Sequence, residues 1–172
     1  MYRQIKINSN DYKYQLIMWR SNPNQNIKTY ALTTVTFGTS AAPYLAIKTL
    51  YQLADDEEKR FLIGVMCLRE AFYVDDFIHG ADTISEEMAM QEEVINILKA
   101  GRFNIRKWSA NNEEFLSNIS LEDRETRSCL SFDDKSPIKT LGINWYPGTD
   151  LFSYAFSLDN KLAHANNTIR HK

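Results

Sequence analysis

The run Phe72-Tyr73-Val74-Asp75-Asp76-Phe77-Ile78-His79-Gly80 restricts the local fold more than any other part of the chain. Tyr73 and Val74 favour a strand, Phe77 and Ile78 favour its partner, and the aspartate pair between them is turn chemistry. The run predicts a tight antiparallel hairpin with acid at its tip. Like charges on neighbouring residues repel, so burying them is unfavourable unless a hard cation such as Mg²⁺ lies between them. Read alone, the tetrapeptide Tyr73-Val74-Asp75-Asp76 is equally a solvated surface turn and a metal-holding one.

A chain of 172 residues, 44% hydrophobic and 12% aromatic, is long and apolar enough for one domain with a real core. Its formal charge of −2 argues against a free-standing nucleic-acid binder, which would carry a basic excess. Cys67 and Cys129 share no metal-ligand spacing, which fits a reducing compartment. His79, His164 and His171 lack the spacing of a zinc site. No apolar run approaches the ~20 residues of a membrane helix, and the N-terminus lacks a signal-peptide core. These features predict a soluble, intracellular chain with no membrane partner.

Around the hairpin the pattern alternates between β-prone and helical stretches. Gln15 to Arg20 and Tyr30 to Val35 form a predicted hairpin across a loop containing Pro23. Ser40 can cap a helix to about Ala54, and Asp55-Asp56-Glu57 can open another with Phe61, Leu62, Val65 and Met66 as its apolar face. Thr83-Ile84-Ser85-Glu86 has capping-box spacing before an amphipathic stretch that Gly101 can close in the left-handed conformation. Phe103 to Trp108 reads as a strand, followed by loop to Pro137 with a short helix around Glu113 to Ser117. Leu141 to Trp145 and Leu151 to Phe156 flank Tyr146-Pro147-Gly148-Thr149-Asp150, a hairpin turn. The economical architecture is one α+β unit over 1–158, with a frayed tail at 159–172.

The hairpin tetrapeptide stands in order among other runs. These are Met1-Tyr2-Arg3-Gln4-Ile5, Gln15 to Arg20, Thr34 to Ala46, Phe72 to Thr83, Phe103 to Trp108, and Leu141-Gly142-Ile143-Asn144-Trp145. As an ordered set spanning about residues 1 to 158, they resemble the palm of a reverse transcriptase, specifically that of BEL/Pao-type LTR retrotransposon polyproteins. The resemblance implies a partial palm with part of the fingers: a small antiparallel sheet bearing an Asp-tipped hairpin, backed by helices.

The same resemblance implies the roles. Asp75 would ligate catalytic Mg²⁺ or Mn²⁺, and Asp76 would be its acidic neighbour or an occasional ligand. Phosphoryl transfer needs this charge neutralisation. Tyr2 matches the aromatic that lies under the incoming sugar and rejects a 2′-hydroxyl, although a Tyr packing at a helix start reads equally well. Phe37 and Gly38 match the start of a nucleotide-contacting segment, where many retroviral relatives carry Gln at the Phe37 position. Lys107 matches a lysine proposed to protonate the leaving pyrophosphate; by itself it reads as an exposed strand lysine. Leu141, Gly142 and Trp145 match the hairpin that grips the primer, with Trp145 alone reading as core.

In the family pattern a further metal-binding aspartate sits a few residues ahead of the position matching Met1, and Asp11 is too far along to replace it. The chain is therefore expected to bind Mg²⁺ weakly and to be inactive in isolation. The implied parent activity is RNA-directed DNA polymerisation on an RNA or DNA template-primer with deoxynucleotide triphosphates. It would work alongside the rest of a polyprotein: fingers, thumb, RNase H and integrase. The alternative is a degenerate, non-catalytic retrotransposon remnant. An aspartic protease is unsupported, since no Asp-Thr-Gly or Asp-Ser-Gly turn occurs.

Overall fold

Apolar residues at helical spacing in three segments build three helices that pack side by side. The computed structural model describes residues 1–125 and 137–154. Its helices α1 (Ala42–Asp56), α2 (Leu62–Glu70) and α3 (Ile84–Ala100) enclose Ala46, Leu50 and Ala54, Val65 and Leu68, and Val94, Ile97 and Leu98, all nearly inaccessible. Small residues allow the close approach. A Cβ on Gly101 would lie 2.6 Å from Leu53 Cδ2, and one on Gly64 would lie 3.2 Å from the Glu93 carbonyl oxygen.

Helix ends show why local signals were displaced. Ser40 is not the cap of α1; Ala41 occupies that position without a side-chain bond, and Pro43 lies in the first turn. Asp55 and Asp56 end α1 instead of opening α2. Acidic residues oppose the dipole at a helix C-terminus, and here Arg69 meets Asp55 at 2.7 Å while Gln52 donates to Asp56 at 2.8 Å. α2 has no cap from its own N-terminal neighbour; Glu93 of α3 supplies one, its Oε2 accepting from the N–H groups of Ile63 and Gly64 at 2.8 and 2.9 Å. The later start turns Gly64, Val65, Cys67 and Leu68 inward, leaving Leu62 and Met66 exposed. The Thr83–Glu86 capping box forms as its spacing predicts. Gly101 has φ −77°, and Arg102 at +60° takes the left-handed position, so Gly101 serves space rather than conformation.

The strands are short and antiparallel. β1 (Leu16–Trp19) pairs with β2 (Lys28–Ala31), and β3 (Phe72–Tyr73) pairs with β4 (Asp76–Phe77). The N-terminal segment runs beside 33–35, with Val35 N–H donating to the Ile5 carbonyl and Ile7 N–H to that of Thr33.

Where the sequence offers no linker, the chain divides into two compact units, Met1–Asn104 and a second beginning at Ile105. Within the second unit the predicted strand ending at Trp108 is absent. Lys107 sits at φ +64°, and only an isolated bridge joins Trp108 to Arg124. α4 (Glu113–Ser117) forms where expected, its start capped by Asn112 Oδ1 accepting from Phe115 N–H at 2.9 Å. β5 (Ile138–Thr140), β6 (Ile143–Tyr146) and β7 (Leu151–Ser153) make a meander, with Tyr146 to Asp150 turning between the last two. The expected tail at 159–172 lies outside the described residues. The fold is α+β, helices with small antiparallel sheets. Among the described residues no helix is long and apolar enough to cross a membrane.

Candidate active site

The β3–β4 hairpin is one residue out of step with its sequence reading. Phe72 pairs with Phe77 and Tyr73 with Asp76, so the two-residue turn is Val74-Asp75 and Asp76 belongs to a strand. A shift of one residue exchanges faces: Asp76 shares a face with Tyr73, while the rings of Phe72 and Phe77 meet at 5.1 Å on the other. Closing such a turn requires a left-handed residue, normally Gly. Val74 takes that place at φ +61°. A β-branched side chain there is strained by about 1–2 kcal/mol, and strain of this kind concentrates at functional sites. Asp75 and Asp76 are both exposed.

Tyr2, from a distant segment, lies within electrostatic reach of this tip. Pairing with 33–35 brings the N-terminal segment beside the 36–39 turn, where Tyr2 is buried and its ring meets Phe37 edge-on at 4.5 Å. Burial pushes the Tyr2 phenol above its ordinary pKa, and the negative charge of Asp75 raises it further. Asp75 is thus close enough to Tyr2 for its charge to be felt. Gly38, at φ +82° with open space where a Cβ would stand, closes the turn after Phe37. Tyr2, Phe37, Gly38, Asp75 and Asp76 all belong to the first unit.

The remaining predicted residues belong to the second unit. Lys107 is exposed and its ammonium lies 3.8 Å from Glu125. Leu141 and Gly142 form the turn between β5 and β6, at φ +48° and +83°. Trp145 is half-buried rather than core; it stacks across β7 on Phe152, and its Nε1–H donates to Asp150 at 2.9 Å.

The donor set suits Mg²⁺ in part. Magnesium is commonly held by one or two carboxylates, with waters and substrate phosphates completing the shell, and Asp75 in the turn and Asp76 at the start of β4 supply carboxylate oxygens on consecutive residues. Among the described residues no group of three or more His, Cys, Asp or Glu could hold a metal ion.

Sequence reasoning passed over Glu87. It follows the capping-box glutamate on α3, its Oε2 is buried without a hydrogen-bond partner, and burial raises its pKa against the opposing influence of His79. The only signal was its place on the inward side of a capped helix. Burial, then the carboxylates of Glu87, Glu93 and Glu70, push the nearby Cys67 thiol up to about 11, leaving it unreactive at neutral pH. No family model, curated protein or solved structure matches the chain.

Proposed function

We propose that the chain is a palm fragment of a BEL/Pao-like RNA-directed DNA polymerase, whose parent activity adds deoxynucleotides to a primer 3′-hydroxyl on an RNA or DNA template. The observation that carries this reading is the convergence of Tyr2, Phe37 and Asp75 from three separate segments. The left-handed Val74 beside the carboxylates adds to it. In this reading Asp75 and Asp76 hold the divalent cation, which when bound neutralises charge developing on the phosphates. Tyr2, wedged against Phe37, presents a rigid ring that excludes a 2′-hydroxyl by steric conflict. Gly38 leaves room for a close backbone approach. For the second unit, taken by itself, the resemblance implies that the Leu141-Gly142 turn and Trp145 belong to the primer-gripping hairpin and that Lys107 is the lysine placed to protonate pyrophosphate. Fingers, thumb, RNase H and integrase segments of a polyprotein complete the working enzyme, inside the cell.

Asp75 and Asp76 hold the cation together with waters and substrate phosphates, and a third carboxylate, where a longer chain supplies one, tightens it. The test is primer extension with Mn²⁺ or Mg²⁺, using the chain and a version lengthened upstream in its own coding frame. Incorporation by the longer version, reduced by about 10²-fold or more in Asp75→Asn, supports the reading. A second reading, a non-catalytic remnant, is favoured by the lack of a three-residue metal group among the described residues. No incorporation from either version, with no Mn²⁺ bound at Asp75, decides for the remnant.

A further inference from the structure

The β1–β2 hairpin buries none of its own residues. Met18 and Trp19 are 76% and 61% exposed, and Leu16, Ile17 and Tyr30 are also open to solvent. Pairing places Ile17 beside Tyr30 and Trp19 beside Lys28. Side chains alternate between faces, so Ile17, Trp19 and Tyr30 share one face with Lys28 while Leu16 and Met18 lie on the other. An uncovered two-stranded ribbon is marginally stable in water, and an exposed apolar face of this kind marks an interaction site. Trp, Tyr, Met and Arg are the residues enriched where protein interfaces concentrate their binding energy. The charge here is one-sided as well. From Asp11 to Asp55 no acidic residue intervenes, whereas Lys13, Arg20, Lys28 and Lys48 do, in a chain whose net charge is −2.

The first unit also carries the complement of this surface. A groove of about 480 Å³ runs between α2, β4 and α3, with Ile63, Met66, Ile78 and Met90 among its apolar walls and Glu70 and Glu86 at its rim. Ile63, Met66 and Ile78 are all exposed. The groove is apolar with acid around it; the hairpin is apolar with base around it.

We propose that the β1–β2 hairpin of one copy docks in the α2–α3 groove of a second copy. Ile17, Trp19 and Tyr30, which share one face of the ribbon with Lys28, enter the groove, and Lys28 and the neighbouring Arg20 meet the acid of Glu70 and Glu86. Because the two surfaces differ, the contact is head to tail, and it either closes into a ring or continues as an open chain. The opposed charges speed and orient encounter, and salt weakens them.

Sedimentation velocity on the full chain across the micromolar range tests the proposal. Mass is expected to rise with concentration and to fall with added salt. Trp19→Ala with Ile17→Ser removes the hairpin face; Glu70→Lys with Ala89→Arg blocks the groove. Each variant, checked by circular dichroism, is expected to associate roughly tenfold more weakly or not at all. Mixed, they retain one good surface each and are expected to form a heterodimer and nothing larger. Should the hairpin variant fail to fold, Arg20→Glu with Lys28→Glu takes its place in the mixture. A chain monomeric at every concentration overturns the proposal. So does a mixture that stays monomeric while the unaltered chain associates, and so does a groove variant that still associates by itself, which would point to hairpin against hairpin. A monomer that binds a single-stranded oligonucleotide through Trp19 overturns it in favour of nucleic acid as the occupant.

Discussion

The β3–β4 and β5–β6 hairpins are both closed by two residues, yet they solve the turn differently. In β5–β6 both turn residues, Leu141 and Gly142, lie at positive φ, and glycine fills the second place. This is the geometry of a type I′ turn, whose twist matches that of the strands. In β3–β4 only Val74 lies at positive φ, so the first place, which glycine would fill without strain, holds a β-branched residue. Hairpin closure requires a left-handed residue but never a valine. Asp75 and Asp76 adjoin the strained residue. Leu141, at φ +48°, is a milder instance of the same substitution.

Substitutions at these turns sharpen the contrast. Gly142→Ala removes the one turn residue whose left-handed backbone is free of strain, and should lower unfolding free energy by about 1–2 kcal/mol in a urea titration followed by Trp145 fluorescence. An unchanged midpoint would break the comparison at its relaxed end. Val74→Gly should raise stability by about 1 kcal/mol, the relief of strain being offset by glycine entropy. If the strain positions the carboxylates, the same variant weakens Mn²⁺ binding measured by electron paramagnetic resonance. A gain in stability with unaltered Mn²⁺ binding would detach the strain from the site. Leu141→Asn, which tolerates positive φ better than leucine, should gain about 0.5 kcal/mol.

The smallest effect concerns Glu87, a partly buried residue of α3 influenced by His79. Its raised pKa means that the folded chain favours the protonated carboxyl. The stabilisation is complete below the ordinary value of 4.5 and is lost as pH rises through the higher folded value. Glu87→Gln should therefore raise Tm by about 2 °C at pH 7, solvent screening keeping the effect small, and by nothing below pH 4.5. Calorimetry at the two pH values checks the sign. A Tm lowered at pH 7 would mean that the ionised carboxylate has a stabilising partner.

Legibility in the sequence followed the range of the forces involved. The Thr83 capping box, the short helix at Glu113 and the turn around Pro147-Gly148 rest on contacts a few residues apart, and each formed where its spacing predicted. Asp55-Asp56 misled because its charge was read as a helix start, whereas Arg69 and Gln52 stabilise it at a helix end. Gly101 misled because Leu53, far away in sequence, claims the space above it. The Asp pair was placed correctly at the hairpin tip but one residue out of register, because β propensity alone cannot separate Val74 in a strand from Val74 forced into the turn.

Local chemistry along the chain was enough to establish the acidic hairpin, the capped helices and the α+β character, since those depend on neighbours in sequence. Which carboxylate approaches Tyr2, which glutamate caps α2 and which apolar residues stay uncovered on the β1–β2 ribbon were decided only by folding. These depend on contacts between segments tens of residues apart, and on packing so close that a methyl group added at Gly101 would displace the Leu53 side chain.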